Sequence, residues 1–280
     1  MSNSKSAAAA QRSASPIILA VETSSVYLCV AVMRGETILA EMADRAERQH
    51  APLLAVTIRD LLARAGVVLE AVDVMAVGIG PGSFAGLRIG VTTVKSLAMA
   101  LEKPVLGVSS LDAIAQHFVG DSRLICPIVD AKRQQVYAAF YRMQRGALRR
   151  LSGPLLESME QLLGRLDHEG LLRSGAPVVF AGDAVPLYAS AIRQRLNSRA
   201  ELAEEALGVP RASYVGRLAL QRWRRGERDD VDDLGPLYLY PPPVTPRAPF
   251  ITSRGRDGRE PQGVPGARRP VMQAKRHHQR

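Results

Sequence analysis

Five glycines within thirteen residues place the strongest constraint on how this chain folds. They are Gly78, Gly80, Gly82, Gly86 and Gly90, and they come at the end of an apolar, strand-like run. Glycine tolerates positive φ and lets its backbone pass close to another group. Apolar residues then recur at helical spacing, at Leu87, Val91, Val94, Ala98 and Leu101. The sequence therefore predicts a strand, a tight turn and a helix, with a functional surface at the turn.

Two roles are open to such a turn besides chain reversal. Backbone N–H groups at a helix start bind phosphate, or the turn leads into a helix that contacts a partner. The segment lacks the Gly-Lys-Ser/Thr ending of a Walker A loop and the spaced dinucleotide fingerprint. Gly86, Gly90 and Thr93 keep one helical stripe small, which indicates close approach by another helix. We interpret the turn as the entry to an interface helix, with a phosphate role as the alternative.

The first half of the chain alternates strands and helices. A helix is predicted from Ala51 to Ala65, with Pro52 at its start and Gly66 after it. Ser109 and Asp112, three residues apart, indicate a capped helix running toward His117. The predicted strands are Ile17–Val21, Tyr27–Met33, Thr37–Met42, Val72–Ile79 and Pro104–Val108. The resulting order is βββαβαβα, which is an α/β fold class.

The second half restarts with strand-like runs, which indicates a second lobe of related element order. The region from Pro154 to Ala176 shows no clear pattern, and Ala212 to Arg225 indicates a last amphipathic helix. The further strand-like segments are Leu124–Val129, Gln135–Tyr141, Ala147–Leu151 and Val178–Phe180. Leu237–Tyr240 indicates a short closing strand or an extended segment. We predict a disordered start (1–15), a first lobe (16–120), a second lobe (121–240) and a disordered Pro/Arg-rich tail (241–280).

Charge and cysteine content limit the functional class. The formal net charge is +10, and almost all of it lies in the two terminal segments, so the body is not a strongly basic nucleic-acid binder. The basic tail either contacts nucleic-acid phosphates or is a solvated extension. Cys29 and Cys126 each sit in an apolar run and predict neither a disulfide framework nor a zinc site. With no secretory signal or membrane-spanning run, the sequence predicts a cytoplasmic protein.

Several motifs together resemble the TsaB (YeaZ) family, whose bacterial members are needed to make threonylcarbamoyladenosine in tRNA. The resemblance covers about residues 17–141. Its motifs are Val21-Glu22-Thr23-Ser24-Ser25, Gln49-His50-Ala51-Pro52-Leu53-Leu54, Gly80-Pro81-Gly82-Ser83-Phe84-Ala85-Gly86-Leu87-Arg88-Ile89-Gly90, Lys95-Ser96-Leu97-Ala98, Gly107-Val108-Ser109-Ser110-Leu111 and Asp130-Ala131-Lys132-Arg133 with Gln135-Val136-Tyr137. The resemblance implies a two-lobed, actin-like ATPase fold. It also implies a subunit that has lost catalysis and supports the catalytic subunit TsaD, alongside the ATPase TsaE.

The residues agree with a loss of catalysis. The catalytic relatives bind a metal through two histidines four residues apart, where this chain has Ser110 and Ile114, and His117 alone cannot make such a site. Capping explains the two serines at 109 and 110. We therefore predict no catalytic residue, no metal and no cofactor of the chain's own, while a nucleotide at the interface between the two subunits stays open.

The weak candidates for cofactor binding lie in two loops. Glu22 and Thr23 follow the first strand, but Val26 and Tyr27 stand where the catalytic relatives carry further acids. Asp130 and Lys132 open the second lobe, and we favour a hinge role for them. An independent ATP-dependent kinase or peptidase is the alternative function, with Glu22 and Asp130 as its best residues.

The predicted partner-binding surface consists of the helices 51–65 and 83–101, packed against matching helices of TsaD. The same surface can form a homodimer when the partner is absent. The residues assigned to it are His50, Leu54, Ile58, Leu61, Gly82, Ser83, Phe84, Gly86, Leu87, Arg88, Gly90, Val91, Val94 and Lys95.

Overall fold

The computed structural model describes residues 15–239 except 48, 169 and 173–176. The tail predicted over 241–280 and nearly all of the predicted disordered start therefore lie outside the described residues. The described residues belong to one unit, which runs to Pro242. Twelve strands and six α-helices are assigned among them, and none of these helices has the length and apolar content that a membrane crossing requires.

The first sheet has five strands in the order β3-β2-β1-β4-β5. Strand β1 is antiparallel to β2 and parallel to β4, and β4 is parallel to β5. Helices α1, α2 and α3 follow β3, β4 and β5 in turn. The predicted order βββαβαβα is confirmed. The bounds are β1 Ile17–Glu22, β2 Tyr27–Arg34, β3 Thr37–Arg45, α1 His50–Arg64, β4 Val74–Gly80, α2 Phe84–Ala100, β5 Val105–Ser109 and α3 Ser110–Ala115.

Both faces of this sheet are covered, which explains why β1 and β2 are continuously apolar rather than alternating. Leu19 and Val21 point to the side of α1 and α2, whereas Ile18 and Ala20 point to the other side. Residues of α6 (Ala212–Arg224) complete the core on that other side. The last amphipathic helix, predicted from Ala212 to Arg225, is thus confirmed and packs on the first sheet. The lobe boundary at residues 120 and 121 stays a prediction.

The second sheet is built around β6, with the order β10-β7-β6-β11-β12. Helices α4 and α5 cover one face, and α3 contributes to the other. The strand predicted over Gln135–Tyr141 is wrong as a single element, because Ala139 and Phe140 interrupt it. The pairing with β6 has the same register on both sides of this interruption, at Ala138 and at Tyr141. The bounds are β6 Leu124–Lys132, β7 Gln135–Ala138, β8 Tyr141–Gln144, β9 Ala147–Arg150, β10 Leu155–Ser158, α4 Met159–His168, β11 Val178–Ala181, α5 Val185–Leu196 and β12 Ala200–Leu202.

Candidate functional site: the glycine turn and the helix pair

The glycine turn connects β4 to α2 and is held by two backbone-directed contacts. Ser83 is the N-cap of α2, and its side chain accepts a hydrogen bond from the N–H of Gly86. The N–H of Ser83 donates to the carbonyl oxygen of Ser24 at 2.6 Å. The start of α2 is therefore fixed to the turn between β1 and β2.

The glycines let α2 lie directly on that β1–β2 turn. A Cβ added at Gly82 would lie 2.4 Å from the Ser24 carbonyl oxygen, and one at Gly86 would lie 2.0 Å from the Thr23 carbonyl oxygen. A Cβ at Gly90 would lie 2.1 Å from Thr23 Oγ1. The Thr23 hydroxyl donates to the Gly86 carbonyl at 2.8 Å.

What approaches the small stripe closely is therefore this chain's own β1–β2 turn. The interpretation that Gly86 and Gly90 leave room for a helix of a partner is wrong. Sequence alone showed that the stripe was small, but it did not show which group fills the space.

Glu22 is completely buried beneath the same turn. Its carboxylate accepts a hydrogen bond from the N–H of Ser24 at 2.5 Å and another from the hydroxyl of Ser110 at 2.7 Å. A Cβ at Gly78 would lie 1.9 Å from Glu22 Oε2, so only glycine leaves room for the carboxylate there. Burial away from water raises the pKa of Glu22, although the hydrogen bonds from Ser110 and Ser24 oppose the shift.

The prediction that capping accounts for Ser109 and Ser110 is wrong. Ser109 is the N-cap of α3 but makes no side-chain capping hydrogen bond, and its hydroxyl is buried without a hydrogen-bond partner among the described residues. Ser110 binds Glu22 instead. Ser110 thus serves the contact between β1 and α3, because the buried carboxyl group of Glu22 needs a hydrogen-bond donor.

Asp130 and Lys132 form a local pair at the end of β6. Lys132 Nζ contacts Asp130 Oδ2, and the N–H of Lys132 donates to Asp130 Oδ1. The N–H of Asp130 donates to the carboxylate of Asp183, in the loop after β11. The charged groups of Asp130 and Lys132 are thus paired within the chain, and no ligand is needed to explain their positions. The hinge role remains a prediction.

A cleft of about 360 Å³ lies between the β1–β2 turn and the loops that follow β11 and β12. Most of its wall is apolar. Glu22 and Thr23, two of the candidates for cofactor binding, are fully buried and do not line it. The wall includes Ser24, Tyr27, Ile114, Val129, Gly182 and Val209. Among the described residues, no group of three or more His, Cys, Asp and Glu side chains could hold a metal ion.

Helices α1 and α2 lie side by side on one face of the first sheet and share its core. Among the residues predicted to bind a partner, Ser83, Phe84 and Arg88 are exposed, and Gly82 and Lys95 are half-buried. Lys95 donates to the carbonyl oxygens of Asp232 and Leu234. The others are buried within the chain: His50, Leu54, Ile58, Leu61, Gly86, Leu87, Gly90, Val91 and Val94.

The buried residues therefore contact the chain's own core, and a role of theirs in partner binding can only be indirect, through the helices they anchor. The outward face carries other apolar residues that the sequence reasoning did not single out. On α1, Leu53 and Val56 are 39% and 44% exposed. On α2, Met99 is exposed, and Phe84 stacks against Tyr238 with ring centroids 5.0 Å apart. A search for apolar residues out of phase with the core stripe could have found Leu53 and Val56.

Comparison with known proteins places this architecture in a family. The profile described as "TsaD: tRNA N6-adenosine threonylcarbamoyltransferase" matches residues 40–245. The Bacillus subtilis tRNA threonylcarbamoyladenosine biosynthesis protein TsaB is 32% identical, over 79% of this chain and 93% of that protein. The Escherichia coli protein of the same name is 28% identical, over 79% of this chain and 94% of that protein.

A solved structure gives the same result. YeaZ from Pseudomonas aeruginosa superimposes with a TM-score of 0.69 at 31% identity, covering 80% of this chain and 100% of that one. The predicted α/β fold class is thereby confirmed, and the described residues form two sheets. The resemblance that began with the Gly80–Gly90 motif extends over most of the chain, which belongs to the TsaB (YeaZ) family.

Proposed function

We propose that this chain is a non-catalytic partner subunit in the synthesis of N6-threonylcarbamoyladenosine at position 37 of ANN-decoding tRNAs. Its role is to support the catalytic subunit TsaD. The pathway is supported by the names of the relatives, which are biosynthesis proteins for this nucleoside. The proposal about the partner is carried by one observation, the apolar outward face of the helix pair.

The first half of α1 is apolar on the side that faces away from the core. Ala51, Pro52, Leu53, Ala55 and Val56 are all exposed. A surface helix in a protein that acts alone normally carries polar residues on its outer face. An exposed apolar face of this kind is typical of a protein–protein contact. Helix α2 continues this surface with the small residues Ala85, Thr92 and Ser96, so that another helix pair can pack closely against it.

The interior of the chain supports a non-catalytic role. Glu22 and Thr23 are buried under α2. The Glu22 carboxyl group accepts hydrogen bonds from Ser24 and Ser110, and the Thr23 hydroxyl donates to the carbonyl oxygen of Gly86. In the positions where the catalytic relatives carry metal-binding histidines, Ser110 binds Glu22 and Ile114 is buried in the core. An independent kinase or peptidase would need these groups to be accessible, so their burial disfavours that alternative.

Further partners follow from the same proposal. TsaE acts with TsaD in the complex, and the outward face of α1 and α2 forms a homodimer when TsaD is absent. Binding of a nucleotide at the interface between this chain and TsaD is compatible with the proposal. The basic tail over 241–280 remains a second route to tRNA, and its deletion would abolish tRNA binding if it were the main contact.

Leu53→Glu tests the proposed interface. A carboxylate on the apolar outer face of α1 must be desolvated when the partner packs there, so we expect affinity for TsaD to fall at least about tenfold, which corresponds to about 1.4 kcal/mol. Copurification and titration of the two purified proteins measure the loss. The content of threonylcarbamoyladenosine in tRNA from depleted cells that carry the variant should fall in parallel.

The matched control is Leu187→Glu, the same substitution at a residue that is 64% exposed on α5 of the second sheet. It should leave TsaD binding unchanged. Equal affinity for TsaD in Leu53→Glu and the wild type, with both proteins folded, would remove the proposed interface.

A further inference from the structure

The hairpin of β8 and β9 carries an unusual concentration of arginine. Arg142, Arg145, Arg149 and Arg150 fall within nine residues that contain no acidic residue. Arg142 and Arg149 lie directly opposite each other in the two strands. Like charges facing each other across a strand pair destabilise the sheet. Folding of the hairpin therefore does not explain this arrangement.

The rest of the described chain treats its arginines differently. Ion pairs neutralise many of them, such as Arg123 with Asp121, Arg211 with Glu41 and Arg222 with Asp229. In contrast, no acidic side chain of the described residues lies within ion-pair distance of Arg145 or Arg149, and both are exposed.

The other two arginines of the hairpin have partners in the chain. Arg150 lies 3.5 Å from Asp112, whose carboxylate also accepts from the Tyr141 hydroxyl. Arg142 is half-buried and donates to the carbonyl oxygen of Leu171. Arg145 and Arg149 are therefore the two whose guanidinium groups are available to a ligand.

The turn of the hairpin holds these charges in place. Arg145 and Gly146 both have positive φ, at 49° and 78°, the conformation of a tight two-residue hairpin turn. Strand β9 pairs with β8, and β8 in turn pairs with β6 at Tyr141, so the turn is attached to the second sheet. Arginine on such a rigid support presents a planar fork of donors that suits phosphate oxygens.

We propose that the β8–β9 hairpin binds the phosphate backbone of tRNA through Arg145 and Arg149. This inference rests on the proposed function, because that function supplies tRNA as the polyanion the complex handles. The contact reads charge and spacing rather than bases, so it positions the tRNA and does not select the sequence.

The test compares Arg145→Glu/Arg149→Glu with Arg34→Glu/Arg193→Glu, in the full chain bound to TsaD. The control makes the same change in net charge at two exposed arginines on β2 and α5. The probe is an unmodified transcript of an ANN-decoding tRNA, and its affinity is measured over a range of salt concentrations. We expect the hairpin variant to bind at least about tenfold more weakly. The slope of log K against log salt should fall by roughly 1.4 to 1.8, at roughly 0.7 to 0.9 for each lost phosphate contact.

A tRNA with a different anticodon should show the same loss. The inference is overturned if the hairpin variant keeps the affinity and the salt slope of the wild type, or if the control loses as much. It is also overturned if the hairpin variant loses TsaD instead of tRNA, since the arginines would then serve an acidic protein surface. Failure of the proposed function would be distinct, because the wild-type chain itself would not bind TsaD.

Discussion

Gly86→Val is expected to unfold the chain at temperatures at which the wild type remains folded. The added Cβ would lie 2.0 Å from the carbonyl oxygen of Thr23. That oxygen belongs to the backbone of a buried turn and cannot swing away as the end of a long side chain can. We expect a loss of at least about 3 kcal/mol in the free energy of unfolding. For a chain of this size, the melting temperature should then fall by about 6–12 °C.

The neighbouring substitution Ala85→Val is the control, because it introduces the same β-branched residue in the same turn of α2 at an exposed position. It should cost less than about 1 kcal/mol, through helix propensity alone. Thermal and urea unfolding followed by circular dichroism measure both variants. If the two variants melt at the same temperature, the close packing of α2 on the β1–β2 turn is not what requires glycine. Bulky substitutions at Gly86 therefore test folding, and exposed positions such as Leu53 test partner binding.

Glu22→Gln is expected to remove a pH dependence from the stability of the protein. Burial raises the pKa of Glu22 in the folded chain above its ordinary value of 4.5. Between the two pKa values, the unfolded chain has released this proton while the folded chain still holds it. The wild type therefore loses stability from Glu22 as pH rises above 4.5, by up to about 1.4 kcal/mol for each pH unit in that window.

Glutamine keeps the carbonyl oxygen that accepts from Ser24 and places an amide near the Ser110 hydroxyl. The variant should therefore match the wild type near pH 4 and become the more stable of the two at neutral pH. Urea unfolding at a series of pH values gives the difference directly. Ser110→Ala serves as a second variant, since it removes a donor to the carboxylate without removing the titrating group, and the pH dependence should persist in it. A constant difference between wild type and Glu22→Gln at all pH values would show that folding does not raise the pKa of Glu22.

The order of elements in the first half could be predicted from sequence because its long helices have a helical period and turn-type residues separate the first three apolar strands. The first helix, predicted over Ala51–Ala65, is found over His50–Arg64. The interruption at Ala139 and Phe140 could not be predicted, since both residues are apolar and continue the pattern of a strand. Strand β10 has only four residues and no alternation of its own. Helix α4 does carry a helical period, in Met159, Leu162, Leu163 and Leu166, and should have been predicted from it.

The site was harder to predict than the fold, because periodicity identifies the buried stripe of a helix and not what lies against it. Leu54, Ile58 and Leu61 were assigned to a partner, yet they form the core contact of α1. The outward residues Leu53 and Val56 lie out of phase with that buried stripe. Glu22 and Ser110 are far apart in sequence, so only the fold shows that they share a hydrogen bond.

The contribution of α6 to the first sheet affects how the protein can be synthesised. The strands that this helix covers, including Ala20, Ala31 and Met33, leave the ribosome long before residues 212–224 are made. Until then, the part of this face that α6 covers is exposed, and Ala113 of α3 packs only beside it. The growing chain must therefore pass through a stage with exposed apolar strands, and at this stage a chaperone that binds them does most to prevent aggregation. A chain that stops before α6 should stay in that stage and aggregate, although it contains every strand of the first sheet.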